Sequence, residues 1–355
     1  VGYEVPNTNV CDDEPVADAG LCGNDVIPIQ EERPNLYFIL DASGSMGEPF
    51  GDDSDSKYEA AVSAITQVLK AIGHRVSYGA ALFPNPAQDS CVPGKQIFET
   101  QAGDPIACTR TGRTGSVLSI LIQRLRAYQP GGGTPLSTTL ESLAPTLRAL
   151  GGKTAVIIAT DGAPNCNPDA TCTTDLCETN RAHWQYPSGL ICEAPINCCD
   201  PSVDPKGPLN CVDDVGTNEI IASLSANAIP TYVIGLPSEE ALSTVLDSMA
   251  IAGGTAREQL PRYYETTDAQ SLADTLKKIA TSIAVSCTLK LSQSPPNWAQ
   301  VAVYFDNAQI PGLSDDGWQP VDASTLQITG SYCDQLMTGN VMQVQIAAGC
   351  PVYVN

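Results

Sequence analysis

Apolar and polar positions follow two rhythms along the chain, and the change falls near Cys287. Leu36 to Leu40 (LYFIL) is an unbroken apolar run of strand length, which predicts a strand covered on both faces. From Ala60 to Ile72 the apolar residues Ala61, Ile65, Val68, Leu69 and Ile72 recur at intervals of three and four, one face of a helix. Ser56 to Glu59 (S-x-x-E) places a capping box in front of it. The succession continues with Val76 to Phe83 as strand, Val117 to Tyr128 and Leu136 to Leu150 as helices, and Ala155 to Ala159 (AVIIA) as strand. Glu219 to Ala228 then reads as helix, Thr231 to Ile234 as strand, Leu242 to Ile251 as helix, Tyr263 to Glu265 as strand and Ala269 to Ala284 as a last helix. Such alternation predicts an α/β fold, a doubly wound and mostly parallel sheet with helices on both faces. Past Cys287 the period becomes two, as in Val301 to Phe305 and Val341 to Ile346, and Pro295-Pro296 and Pro311-Gly312 mark turns. The expected organisation is an N-terminal extension over 1–32, the α/β domain over 33–286 with a cysteine-rich insertion at 163–212, and a small C-terminal all-β domain over 287–355.

Composition narrows the setting. With 355 residues, 43% of them hydrophobic and 16% charged, the chain has enough apolar surface for a full core. A net charge of -22 repels phosphates and anionic lipid, so nucleic acid is excluded as a partner class. Fourteen cysteines without a single C-x-x-C pair fit disulfides in an oxidising compartment and not a zinc ribbon. No apolar stretch is long enough to span a bilayer, and the first residues lack a signal-peptide pattern, so the segment reads as processed and exported. Residue 1 is Val1, so a lipid anchor would lie outside this chain. The insertion holds seven cysteines, an odd number, which predicts one bridge leaving it for the tail or the N-terminal extension. Cys11 and Cys22 are expected to loop the extension, and Cys333 with Cys350 to close a loop around Val341 to Ile346.

The chemistry concentrates at strand ends. Asp41-Ala42-Ser43-Gly44-Ser45 follows the first apolar strand, and alternate residues of an extended loop point the same way, so Asp41, Ser43 and Ser45 can converge. Ala155 to Ala159 ends in Thr160-Asp161-Gly162, which brings a carboxylate to the same sheet edge. Gly131-Gly132-Gly133-Thr134-Pro135 is a glycine-rich turn able to carry the Thr134 hydroxyl there. In open α/β sheets ligands bind at such strand ends, where the strand order reverses. Two carboxylates and three hydroxyls are hard oxygen donors that suit Mg²⁺ or Mn²⁺, with Ca²⁺ as a third candidate, better than zinc.

On these residues the chain resembles the von Willebrand factor type A and integrin inserted-domain family, whose metal-ion-dependent adhesion site has D-x-S-x-S, then a Thr, then an Asp. The resemblance covers roughly residues 33 to 286 and implies that Ser43, Ser45 and Thr134 contact an ion directly, while Asp41 and Asp161 act directly or through water. It also implies a non-catalytic role in which an acidic side chain of a protein or surface partner completes the coordination. The layout DASGSM, GGTPL, ATDGAPNCN, a cysteine-rich insertion and IPTYVIGL, with GW, G-x-x-C and GCP in the tail, is similar to the narrower group of cysteine-rich surface lipoproteins of myxobacteria, which includes the gliding-machinery adhesin type. The implied location is secreted, extracellular or on a bacterial outer membrane.

Other readings of the residues stand beside this one. The domain could be a structural subunit of an extracellular fibre or envelope and motility assembly, in which the metal only orders the loops. A metal-dependent hydrolase has less support, because His74 and His183 are the chain's general-base histidines and neither lies in a nucleophile motif. His74, just past a helix, reads as a C-terminal cap and His183 as a surface residue. Asn167, Asp169, Thr171, Thr173, Asp175 and Glu178 match calcium-loop spacing, but Cys172 stands where that loop requires glycine. The run Asp52-Asp53-Ser54-Asp55 reads as a solvated loop favouring the next helix N-terminus.

Overall fold

The computed structural model describes Cys11 and residues 25–29, 33–51, 55–85, 91–237, 242–350 and 352–353. In chain order they form β1 (Asp25–Val26), β2 (Asn35–Asp41), α1 (Lys57–Ile72), β3 (Ser77–Phe83), β4 (Lys95–Ala102), α2 (Ile106–Thr111), α3 (Ser116–Arg126), α4 (Leu136–Ala149) and β5 (Thr154–Thr160). There follow α5 (Glu178–Arg181), α6 (Asp214–Ala226), β6 (Thr231–Gly235), α7 (Ser243–Ala252), β7 (Tyr264–Glu265) and α8 (Ala269–Ala284). The tail holds β8 (Thr288–Lys290), β9 (Val301–Phe305), β10 (Ala308–Ile310), β11 (Gly317–Pro320), β12 (Thr325–Thr329), α9 (Gly330–Met337) and β13 (Val344–Ala348).

The central sheet runs β4-β3-β2-β5-β6-β7, parallel except for β4, which pairs antiparallel with β3 at one edge. Every residue of β2 and β5 is buried. The pleat explains why these strands are apolar throughout: Leu36, Phe38 and Leu40 enter the core on one face, Tyr37 and Ile39 the core on the other. The first face is covered by α1, α3 and α8 through residues such as Ile65, Leu121 and Leu276. The second is covered by α4, α6 and α7 through Leu140, Ile221 and Leu246. The chain passes from β2 to β3 on one side and later returns to β5 on the other, so the order reverses between β2 and β5.

In the tail, β1-β13-β9-β10 and β11-β12-β8 form two antiparallel sheets around a third core that contains the fully buried Trp318, with Trp298 against it. Asp25 and Val26 pair with Ala348 and Ala347, so residues ahead of the α/β layers complete a tail sheet. The period-two pattern did not foreshadow α9, and the last strand starts at Val344 instead of Val341. Arg75 fastens the tail to the base of the main sheet by donating from Nη2 to the carbonyls of Val341 at 2.6 Å and Met342 at 3.2 Å. His74 is part of this joint and not merely a cap. Arg75 Nε donates to its Nε2 at 3.2 Å, so its Nδ1 hydrogen faces Thr109 Oγ1 at 3.1 Å. Burial first, then the Arg75 charge, depress its pKa to about 4.

Six disulfides join described residues, and Cys350 is disulfide-bonded as well. Their pairing differs from the expected one. Cys11 pairs with Cys108 and not with Cys22, tying the N-terminal segment to α2. The bridge that leaves the insertion is Cys166–Cys91, directed to the β3–β4 connection and not to the tail or the extension. Cys333 pairs with Cys287, not Cys350. Cys172–Cys211, Cys177–Cys199 and Cys192–Cys198 stay within the insertion. No helix among the described residues is long and apolar enough to cross a membrane.

Candidate metal centre

At the switch point, β2 ends in Asp41 and β5 in Thr160, next to each other in the sheet. Asp41 is completely buried and its carboxylate is oriented from both sides. The Ser43 amide donates to Oδ1 at 2.7 Å and the Thr160 hydroxyl to Oδ2 at 2.5 Å. The loop after β2 is locked to the glycine-rich turn by two backbone bonds, Gly131 N to Ala42 O at 2.8 Å and Gly44 N to Gly132 O at 3.0 Å. Gly132 takes φ +85°, a left-handed conformation that glycine adopts without strain, and this lets the turn lie against the loop.

Ser43 Oγ lies 3.4 Å from Ser45 Oγ, and Ser45 Oγ donates to Asp161 Oδ1 at 2.8 Å. Thr134 is buried, and its hydroxyl faces Gly162: a Cβ at that glycine would stand 3.8 Å from Thr134 Oγ1. The structure thus gathers Asp41, Ser43, Ser45, Thr134 and Asp161 at one edge of the sheet, with Ser45 on the solvent side. Beside them, between α1 and the end of α3, opens a cleft of about 650 Å³ lined by Gly47, Tyr58, Glu59, Arg126, Tyr128 and Pro130 among others.

Three contributors were not singled out from the sequence. Thr160 holds Asp41 in place, as above. Asn165 accepts from the Thr134 amide at 2.7 Å while its own amide nitrogen donates to Glu178 at 2.8 Å, which ties the glycine-rich turn to the insertion. Glu178 thus accepts from Asn165 across the insertion, and Asn167 accepts from the Asp169 amide in a local turn, so both members of the calcium-like spacing have partners within the protein. Lys57 is the third: its Nζ donates to Asp161 Oδ2 at 2.8 Å and to Glu48 Oε2 at 3.2 Å. A signal for it existed, since Lys57 lies four residues before Ala61 on the apolar face of α1, where a charge needs a buried partner.

The electrostatics are unbalanced in the anionic direction. Asp41 and Asp161 are 0% and 3% exposed, and Lys57 supplies one positive charge, paired with Asp161. Burial first, and the Asp161 charge second, push the Asp41 pKa up to about 7, against the bonds from Thr160 and Ser43 that lower it. Burial pulls Lys57 down, but the hydrogen bonds and charges of Asp161 and Glu48 outweigh it and leave its pKa above the ordinary value. Two buried carboxylates with three neighbouring hydroxyls fit a hard divalent cation, which would relieve the repulsion that raises Asp41. A second cluster, Cys172, Cys199 and Cys211, brings sulfur atoms together, but all of them are in disulfides and none is a thiolate ligand. His183 lies exposed in the insertion, far in character from a general base held in a cleft.

No protein-family model matches the chain, and no curated protein matches it in sequence. Among solved structures it is similar to the PilB minor pilin of Streptococcus sanguinis, with 16% identity and a TM-score of 0.47, over 72% of this chain and 63% of that one. The pilus adhesin SpaC of Lactobacillus rhamnosus GG gives 15% identity and a TM-score of 0.48, over 90% of this chain and 39% of that one. The chain therefore spans less than two thirds of either protein. The vWF domain of the type V pili tip protein Mfa5 of Porphyromonas gingivalis gives 13% identity and a TM-score of 0.42, over 73% of this chain and 97% of that domain.

Proposed function

We propose that the chain is a type A binding module in which Asp41, Ser43, Ser45, Thr134 and Asp161 hold Mg²⁺ or Mn²⁺ and present it to an acidic side chain of a protein partner. One observation carries this reading: two buried carboxylates meet hydroxyl donors at the sheet switch point with one ammonium to balance them. Because three of the donors are neutral hydroxyls, a bound ion keeps much of its field for a partner carboxylate. The same field is too weak to acidify a water as zinc does, which favours binding over hydrolysis. Residues 33–286 form the module, and the tail over 287–355 buttresses its base. The oxidised cysteines suit an extracellular setting. The narrower likeness of insertion and tail to cysteine-rich bacterial surface proteins extends the reading to the outer surface of a bacterial cell.

The test is binding of Mn²⁺ and Mg²⁺ by calorimetry, together with chelator-sensitive capture of envelope components. Asp41→Ala and Thr134→Ala are expected to lose both the ion and the capture while keeping the wild-type circular dichroism. Capture by either variant at wild-type strength in Mg²⁺ overturns the reading.

A further inference from the structure

Asp161 already has a cation. Lys57 Nζ lies 2.8 Å from Asp161 Oδ2 and 3.2 Å from Glu48 Oε2, and the side chains are 8%, 1% and 66% exposed in that order. Ser45 donates to the other Asp161 oxygen at 2.8 Å. Both oxygens of this carboxylate are therefore engaged by the protein itself. The stem of Lys57 is anchored as the first residue of α1, immediately after the capping-box serine Ser56, so the ammonium reaches the crevice from a fixed base.

We propose that Lys57 is a tethered counter-cation that holds the metal centre closed without metal, and that a divalent ion enters by displacing the ammonium from Asp161 onto Glu48. The proposal rests on the metal-binding reading of this crevice and adds to it what sets the affinity. An ion bound by Ser45 and Asp161 would stand within a few ångströms of the ammonium, and like charges at that distance in a poorly solvated site repel strongly. Leaving Asp161 without a destination would strand a buried charge, which is costly for the ammonium. Glu48 removes that obstacle. It is already within 3.2 Å and mostly exposed, so the ammonium can move toward water and keep a carboxylate partner. With Lys57 in place, Asp161 is neutralised before any ion arrives, and the crevice is folded and ready. The divalent ion then competes with an internal cation, and the module binds its partner only where the ion is abundant enough to win.

The experiment is Mn²⁺ titration of the full oxidised chain by calorimetry, with thermal melts in chelator, for wild type, Lys57→Met, Glu48→Gln and Asp41→Ala. Lys57→Met is expected to bind Mn²⁺ at least tenfold more tightly than wild type, and to melt lower in chelator with recovery on adding Mn²⁺. Glu48→Gln is expected to bind several-fold more weakly than wild type, because the displaced ammonium loses its second partner. Equal affinity in wild type, Lys57→Met and Glu48→Gln, with Asp41→Ala binding none, overturns the role of Lys57 and leaves the metal centre standing. Absence of Mn²⁺ binding in every protein, Lys57→Met included, overturns both. If Lys57→Met folds only with Mn²⁺, that supports the proposal, and if it does not fold at all, unchanged affinity in Glu48→Gln overturns it.

Discussion

Two regions that meet between Asp161 and Asn165 are held together by different physics. On the crevice side, Asp41, Ser43, Thr160, Asp161 and Thr134 are buried polar groups, and they keep their places through hydrogen bonds to a backbone fixed by the sheet. The segments 41–45 and 130–135 contain no cysteine. On the insertion side, the buried cluster consists of Cys177, Cys192, Cys198, Cys199 and Cys211, with only a few partly buried apolar neighbours such as Leu190 and Ile196. Trp184 and Ile191 are 55% and 42% exposed and lie outside that core. A segment this short, without an apolar periodicity, cannot bury enough surface to order itself, and covalent links take over. The crevice therefore answers to charge and hydrogen bonding, and the insertion to redox state.

The sharpest way to break this contrast is reduction. Three bridges lie inside the insertion, and each closed loop typically contributes about 2–4 kcal/mol. Full reduction and alkylation are expected to unfold residues 167–211, seen as complete loss of amide protection in hydrogen exchange, while β2 and β5 keep theirs. Retained protection in the alkylated insertion would show that packing, not cross-linking, orders it. Simultaneous loss in β2 and β5 would show that the sheet, too, depends on the cross-links.

A smaller effect is expected at the seam. Asn165→Ala removes the acceptor from the buried Thr134 amide and the donor from Glu178. An orphaned buried group of this kind costs about 1–3 kcal/mol. Urea unfolding of the oxidised protein should show a loss in that range, and Mn²⁺ affinity should fall because Thr134 is no longer held. A loss of less than about 0.5 kcal/mol would mean that the two regions are not coupled through this side chain.

The sheet was legible in the sequence because its strands are apolar on both faces: LYFIL and AVIIA admit few other roles. β4 was not, since Lys95, Glu99 and the two glutamines of KQIFETQA give an edge strand the polar character of a loop. α2 spans Ile106–Thr111, too short for a helical period to show. In the crevice, motif spacing in the loops after β2 and β5 and in the glycine-rich turn between α3 and α4 marked Asp41, Ser43, Ser45, Thr134 and Asp161 as candidates. Lys57, Thr160 and Asn165 went unseen because their roles depend on partners 104, 119 and 31 residues away. The same reason hides disulfide pairing: Cys91 and Cys166 are neighbours only once the ends of β3 and β5 stand on the same edge of the sheet.

The smallest effect separates the two regions most cleanly. Ser56 caps α1: its hydroxyl accepts from the Glu59 amide at 3.2 Å, while Glu59 Oε2 accepts from the Ser56 amide at 2.9 Å. Ser56→Ala removes one half of this exchange and is expected to cost about 1 kcal/mol, as loss of an N-cap usually does, whereas Ser56→Asp should retain most of the stability. Since α1 packs on the sheet through Ala61, Ile65 and Val68, the cost belongs to the sheet layer. It should therefore be the same, within error, in oxidised protein and in protein whose insertion has been reduced and alkylated, measured by urea unfolding of each. Sites that share no partner add, and sites that share a structure do not. A cost that changes by more than about 0.5 kcal/mol between the two forms would mean that the cross-linked insertion also supports the start of α1, and the division between a hydrogen-bonded crevice and a disulfide-held insertion would fail.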